Sequence, residues 1–145
     1  MSFKKILIAV DESTFAAHAA DLGLDLARQL GAEVAFITAV DPAVTSSASD
    51  SGVSAERWLA MAQREAKDLL NAFASRAATT PPPLMFLETG KPAAMIVEAA
   101  RTWPADLIVM GTHGRNVVGE ILLGSVAQGV LRKAPCPVMV LRPRG

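Results

Sequence analysis

Four residues carry the pattern in this chain best suited to chemistry: Gly111, Gly114, Gly124 and Ser125. An apolar run from Asp106 to Met110 precedes them and reads as a buried strand. The segment from Val126 to Lys133 follows them and reads as a helix. A glycine-bearing turn between a strand and a helix start can cradle phosphates. Glycine lets the backbone approach a ligand closely, and the helix N-terminus offers N–H donors at the positive end of its dipole. Nucleotide binding is therefore the first reading. Plainer roles stand beside it. Gly111 could only relieve crowding at a strand end, Gly114 could only make a turn, and Gly124 could only allow close packing. Ser125 and Gln128 also have the spacing of a capping box, which needs no ligand.

Asp11 ends the first apolar run, Lys5 to Val10. A carboxylate there could accept hydrogen bonds from a ribose, or it could start the next helix through an Asx turn. His113 could donate to a phosphate and Arg115 could neutralise its charge; on a loop either could equally be solvated. Other chemistry is not written in the chain. It has no G-x-x-x-x-G-K-[ST] loop, no G-x-G-x-x-G fingerprint and no G-x-S-x-G elbow. Two histidines and one cysteine give no metal-ligand spacing. A phosphoacceptor receiver fails too, because it needs an Asp after the third strand and a Lys after the fifth. Those places hold Glu88-Thr89 and Arg142. Cys136, between Pro135 and Pro137, reads as a small buried apolar residue rather than a reactive thiol.

The elements that must position these residues alternate. Lys5 to Val10, Glu33 to Val40, Leu84 to Glu88, Asp106 to Met110 and Val138 to Arg142 read as strands. Ser13 is placed to cap a helix that runs to about Leu30, with Phe15, Ala19, Leu22, Leu26 and Leu30 at helical spacing and Gly31 as its stop. Ser54 caps a longer helix to about Ala78, with Trp58, Ala62, Ala66, Leu69, Phe73 and Ala77 on one face. A short helix covers about Ala93 to Arg101, and Ala134-Pro135 ends the last one. The Ser-rich stretch from Asp41 to Val53 reads as a loop that could fold over a ligand. Alternating strands and helices predict a doubly wound α/β domain with a five-stranded parallel sheet and helices on both faces. Such sheets bind ligands beyond the C-terminal strand ends. The loops starting at Asp11, Val40-Asp41, Thr89-Gly90 and Gly111 all belong on that rim.

Bulk properties narrow the class. A chain of 145 residues fits one domain, residues 1–145. The formal net charge is zero, which argues against nucleic acid as the main partner. The apolar run Ile6 to Val10 stops at Asp11, too short for a signal peptide or a membrane span. A lone cysteine fits a reducing compartment, so the expected location is the cytoplasm, with no membrane partner.

Taken along its whole length, the chain resembles a universal stress protein domain. The resemblance rests on Lys5-Ile6-Leu7-Ile8-Ala9-Val10-Asp11-Glu12-Ser13, on Asp106 to Arg115, on Leu122 to Ala127, and on Ala134 to Leu141. The ATP-binding members of that family carry G-x2-G-x9-G-[ST], which stands intact here at Gly111, Gly114, Gly124 and Ser125. The resemblance implies strand order 3-2-1-4-5. It implies Asp11 near the adenosine, with Ala9 and Val10 beside it, and backbone from Val40 against the adenine. Met110 and Gly111 would line the nucleotide. Gly114, Arg115, Gly124, Ser125 and Val126 would surround the phosphates, with His113 counted among the contacts. The implied cofactor is ATP, accompanied by Mg2+. A homodimer through the strand Val138 to Leu141 is also implied, and that apolar edge supports it independently.

The expected function is an ATP-binding regulatory or stress-response protein, whose nucleotide changes the surface shown to an as yet unidentified protein partner. No catalytic residue is assigned. Two alternatives stay open. One is a slow ATPase or phosphotransfer enzyme using Asp11 and His113. The other is a dimerisation module that binds AMP or no nucleotide.

Overall fold

A computed structural model describes residues 2–46, 52–112 and 123–142. The chain folds as β1 (Lys5–Ala9), α1 (Thr14–Leu30), β2 (Glu33–Val40), α2 (Pro42–Ser46), α3 (Ala55–Ser75), β3 (Leu84–Thr89), α4 (Pro92–Thr102), β4 (Leu107–Gly111), α5 (Ser125–Lys133) and β5 (Val138–Leu141). The five strands form one parallel sheet in the order β3-β2-β1-β4-β5. This is the single-domain, doubly wound α/β fold expected from the alternation. Among the described residues, no helix is long and apolar enough to cross a membrane.

Each central strand is buried on both faces, which is why its sequence is continuously apolar rather than alternating. Ile6, Ile8, Phe36, Leu107 and Val109 pack in the core on the α1 and α3 side. Leu7, Ala35, Ile37, Ile108 and Met110 pack in the core on the α4 and α5 side. The strand pleat sends successive side chains to opposite faces, so each strand feeds both cores.

Helix starts and stops follow local chemistry. Ser13 caps α1 by accepting a hydrogen bond from the Ala16 N–H, and Ser54 caps α3 by accepting one from the Arg57 N–H. Gly31 ends α1 in the left-handed region, at φ 66°, where a side chain would be strained.

The structure departs from the sequence reading in several places. The face of α1 against the sheet is made by Ala16, Ala19, Ala20, Gly23 and Ala27, not by the larger residues at the predicted spacing. Small residues let the helix sit close to the strands. Phe15, Leu22 and Leu26 are only partly buried at the flanks, and Leu30 is 50% exposed. The helix α3 stops at Ser75 rather than Ala78. Part of the Ser-rich stretch is the short helix α2, begun by Asp41, whose Oδ1 accepts from the Ala43 N–H. Positions 47–51 of that stretch lie outside the described residues.

Strand β4 begins at Leu107 because Asp106 does different work. Its Oδ2 accepts from the backbone N–H groups of Lys4, at 2.8 Å, and Lys5, at 2.9 Å. Its own N–H donates to the Lys5 carbonyl. One residue thus ties the start of β1 to the start of β4 and sets their register. Hydrogen bonds to a charged acceptor contribute more than neutral ones, so Asp106→Ala should lower the unfolding free energy by about 2 kcal/mol. Asp106→Asn, which keeps an acceptor oxygen, should lose less. Urea unfolding of the two variants checks this; equal stability of wild type and Asp106→Ala would refute it.

Candidate functional site

The crossovers through α1 and α3 lie on one face of the sheet, and those through α4 and α5 on the other. Between β1 and β4, where the winding reverses, no crossover covers the C-terminal strand ends. A cavity of about 630 Å³ opens there. Its volume falls in the range of small-molecule sites. Ala9, Val10, Asp11, Val40, Met110, Gly111, Gly124, Ser125 and Val126 all line it, so these residues singled out in the sequence share one cavity. His113, Gly114 and Arg115 lie outside the described residues, as does Gly119.

Asp11 has two functions open to it at once. Its Oδ1 accepts from the backbone N–H of Ser13 at 2.9 Å and from the Ser13 hydroxyl. This is the Asx turn, and it launches α1. Among the described residues both bonds fall on Oδ1, and the residue lines the cavity. Beyond the last β1–β2 bond, from the Val10 N–H to the Ile37 carbonyl, the β2 backbone continues alone past β1. Ile37 faces β1, so two residues on, the N–H and C=O of Ala39 face the same way. Val40 faces β3, where its carbonyl accepts from the Gly90 N–H. The β2 main-chain groups directed over the end of β1 are therefore those of Ala39, while Val40 contributes wall.

Two backbone hydrogen bonds fix Thr112, the residue after β4. The Thr112 N–H donates to the Leu141 carbonyl, and the Thr112 carbonyl accepts from the Gly124 N–H at 2.6 Å. Gly124, not Ser125, is the N-cap of α5; its backbone is extended and no side chain caps the helix. The capping-box expectation is thus corrected. Ser125 sits one position too far into the helix to act as the cap. Gln128 instead donates from Nε2 to the Leu123 carbonyl. The first turn of α5 consequently presents its N–H end to the cavity, and its N-cap residue, a glycine, supplies no side-chain acceptor.

Gly111 has a packing reason as well as a possible ligand one. A Cβ placed there would meet Phe15 Cβ at 2.8 Å and the Phe15 backbone at 3.3 Å. The first turn of α1 crosses directly over the end of β4, and only glycine leaves room.

Several lining residues were not read as site residues in the sequence, where Ala62, Ala66 and Leu69 were assigned only to a helix face. Thr38 on β2 and Ala62, Glu65, Ala66 and Leu69 on α3 complete the wall on the α1 and α3 side. Two signals could have found them. Thr38 is the polar interruption in the apolar run of β2, and Ala62 and Ala66 are small residues one turn apart. Carboxylates from Asp11, Glu12, Asp41 and Glu65 also line this half. No Lys, Arg or His is among the described lining residues. Among the described residues, no three His, Cys, Asp or Glu side chains gather to hold a metal.

Cys136 is partly buried against the α4 and α5 core. Burial pushes its thiol pKa up, the charge of Asp106 pushes the same way, and a backbone hydrogen bond with Ile108 opposes them. The thiol stays protonated near neutral pH, in line with a packing role.

Known proteins share this fold and much of this sequence. The sequence model of the Universal stress protein family matches residues 2–142. A universal stress protein of Thermus aquaticus is 36% identical over 141 residues, covering 97% of this chain and 99% of that protein. A solved universal stress protein from Lactobacillus plantarum superposes with a TM-score of 0.85 at 28% identity, over 98% of this chain and 99% of that one. A universal stress protein crystallised in complex with cAMP gives 0.65 at 25% identity, over 98% of each chain.

The Gly111 contact separates packing from ligand approach. Gly111→Ala should destabilise the ligand-free protein by about 1–3 kcal/mol through overpacking. Adding Phe15→Ala should not restore the loss, because the obstruction is the Phe15 Cβ and backbone. Thermal unfolding of the single and double variants checks this, and full rescue by Phe15→Ala would show that the ring, not the close backbone crossing, sets the constraint.

Proposed function

The chain belongs to the universal stress protein family, and from that premise we propose that it is an ATP-binding regulatory protein acting in the cytoplasm. The observation that carries this reading is the start of α5. Gly124 and Ser125, the last part of the intact glycine pattern, bring a helix N-terminus with a glycine N-cap to a cavity at the switch point of the sheet. That end of the helix suits phosphate oxygens, which accept from the first-turn N–H groups and favour the positive dipole end. Asp11 and the Ala39 backbone stand where a nucleoside would need acceptors and donors. Magnesium would enter on the triphosphate, held by phosphate oxygens and water, in keeping with its preference for few protein ligands. No residue is assigned to hydrolysis.

A second reading comes from the relative crystallised with cAMP. Its ligand shares the adenosine and differs in phosphate, so the nucleoside half of the cavity serves either ligand. Competition of AMP and cAMP against ATP separates the two readings.

Calorimetric titration of nucleotide-stripped protein with Mg-ATP should show a single saturable site per chain. Ser125→Pro is the sharpest variant. Proline is accommodated at the first helical position, and extended Gly124 suits the residue before it. The change removes one N–H donor and the hydroxyl while keeping α5. ATP affinity should fall about tenfold or more, at unchanged thermal stability. Unaltered affinity would remove α5 from the site.

We further propose that two copies pair through β5, the edge strand on the β4 side of the sheet. Val138 to Leu141 are all only partly buried. The Leu141 and Pro137 carbonyls accept from β4 and the residue that follows it, so Met139 also faces β4 while the N–H groups of Val138 and Val140 face outward. Val140→Pro deletes an outward donor and spares the β4–β5 ladder. Sedimentation equilibrium should then show a folded monomer where the wild type is a dimer; a dimer of undiminished affinity would place the interface elsewhere.

A further inference from the structure

Strand β3 is the other edge of the sheet, and its strand neighbour is β2 alone. Natural edge strands are usually guarded by a proline, charged side chains or a bulge. Pro81, Pro82 and Pro83 stand before β3, but Leu84 to Thr89 contain no proline and no lysine, and their one charge is Glu88. No bulge interrupts them, since the register with β2 runs unbroken from the Ala35–Leu84 pair to the Val40–Thr89 pair. The Gly90 N–H donates to the Val40 carbonyl, so Phe86 and Glu88 also turn their main-chain groups to β2. The N–H and C=O groups of Met85, Leu87 and Thr89 therefore point outward. Leu84 and Met85 are 47% and 45% exposed, on opposite faces of the strand.

Beside this edge, on the α4 face, lies a pocket of about 170 Å³. Phe86 and Glu88 line it from β3, and Met95, Glu98, Ala99 and Thr102 from α4. It is smaller than a typical small-molecule site and suits one apolar side chain. Its aromatic wall is fixed, because the Trp103 ring meets Phe86 edge-on at 6.1 Å. The Thr102 hydroxyl is engaged by the Glu98 and Ala99 carbonyls of its own helix. That leaves the Glu88 and Glu98 carboxylates as the polar side-chain groups of the pocket. Arg101 pairs with Glu98, whereas Glu88 has no ion partner among the described residues.

We propose that the β3 edge receives an extended segment of a partner protein as a sixth strand. The outward main-chain groups hydrogen-bond to the segment, and its alternate side chains fall on the α4 face. An apolar one fills the pocket, and a lysine or arginine two residues along meets Glu88. A second copy of this chain fits less well. An antiparallel pair centred on Leu87 sets the two Glu88 carboxylates diagonally across from each other, and one centred on Phe86 sets each Glu88 against an apolar Leu84. The pocket shares no lining residue with the larger cavity, so the inference stands whatever ligand that cavity takes.

The probe is a labelled peptide, Thr-Leu-Thr-Arg-Thr-Leu-Thr, followed by fluorescence anisotropy and by amide hydrogen exchange. It should bind and slow exchange at the Met85, Leu87 and Thr89 amides, while the Phe86 and Glu88 amides are protected before and after. Met85→Pro deletes one outward donor, spares the β2–β3 ladder, and should weaken binding about fivefold. Glu88→Lys should weaken it about fivefold and reverse the preference, toward a peptide with Glu in place of Arg. That exposed position keeps the test decisive if Met85→Pro fails to fold. Absence of binding at millimolar peptide overturns the proposal, as does binding that leaves the three amides in fast exchange or ignores Glu88→Lys. Amides already protected in the free protein, in step with protein concentration, would overturn it too, by giving the edge to a second copy.

Discussion

A parallel sheet must carry every crossover over one face or the other, and the placement of β1 in its middle decides where this chain stays open. The windings through α1 and α3 go one way and those through α4 and α5 the other. No crossover can then lie over the strand ends between β1 and β4. Everything that lines the cavity is there because of that reversal. Asp11 leads from β1 into α1 on one face, and α5, the next described helix after β4, lies on the other. Asp106 holds the pair in register from the opposite end, through its bonds to the Lys4 and Lys5 N–H groups.

Small residues then decide how deep the opening is. The alanine face of α1 and Gly111 bring α1 down onto the end of β4, so that wall is tight. Ala62 and Ala66 have the opposite consequence on α3, where their short side chains leave space above Thr38. The same residue type closes one side and opens another. Larger side chains lower on α3, Leu70 and Phe73, are fully engaged with the core. The cavity is therefore a gap in packing at one end of a well-filled layer, and these walls are built on strands and helices.

Most of this was legible in the sequence, for reasons that differ by element. The strands were readable because burial on both faces leaves only apolar residues, as in Ile6 to Ile8. The turn residues were readable because backbone geometry limits them, as at Gly31. The rim residues were readable once the strands were, since the fold brings strand ends together. Helix faces were harder. On α1 the eye follows Leu22, Leu26 and Leu30, whereas the sheet selects Ala20, Gly23 and Ala27, because close approach rewards small size rather than hydrophobicity. The capping box at Ser125 failed by one residue, since a glycine N-cap carries no side-chain signature. Thr38, Ala62 and Ala66 were missed because their role comes from a contact between β2 and α3, distant in sequence.

The charges around the cavity give it a direction. Asp11, Glu12, Asp41 and Glu65 line the half nearest α1, α2 and α3. The opposite half has the N-terminus of α5. The dipole of that helix favours an anion by only about 0.3–1 kcal/mol at an exposed end. Glu12 and Glu65 are exposed, so solvent screens each of them to about 1 kcal/mol or less, while Asp11 and Asp41 are half-buried and screened less. The dipole and the repulsion therefore act together, one drawing an anionic end toward α5 and the other keeping it from the acidic half. Both would orient a ligand with one anionic end and one neutral, donor-rich end in the same direction. The acidic half still welcomes hydroxyl and amino donors, which is what a sugar and a base edge supply. Adding a negative charge near the sugar would set it against Asp11. A cavity so charged would discriminate between anionic ligands by where the negative charge lies, the acidic half excluding it and the start of α5 accepting it.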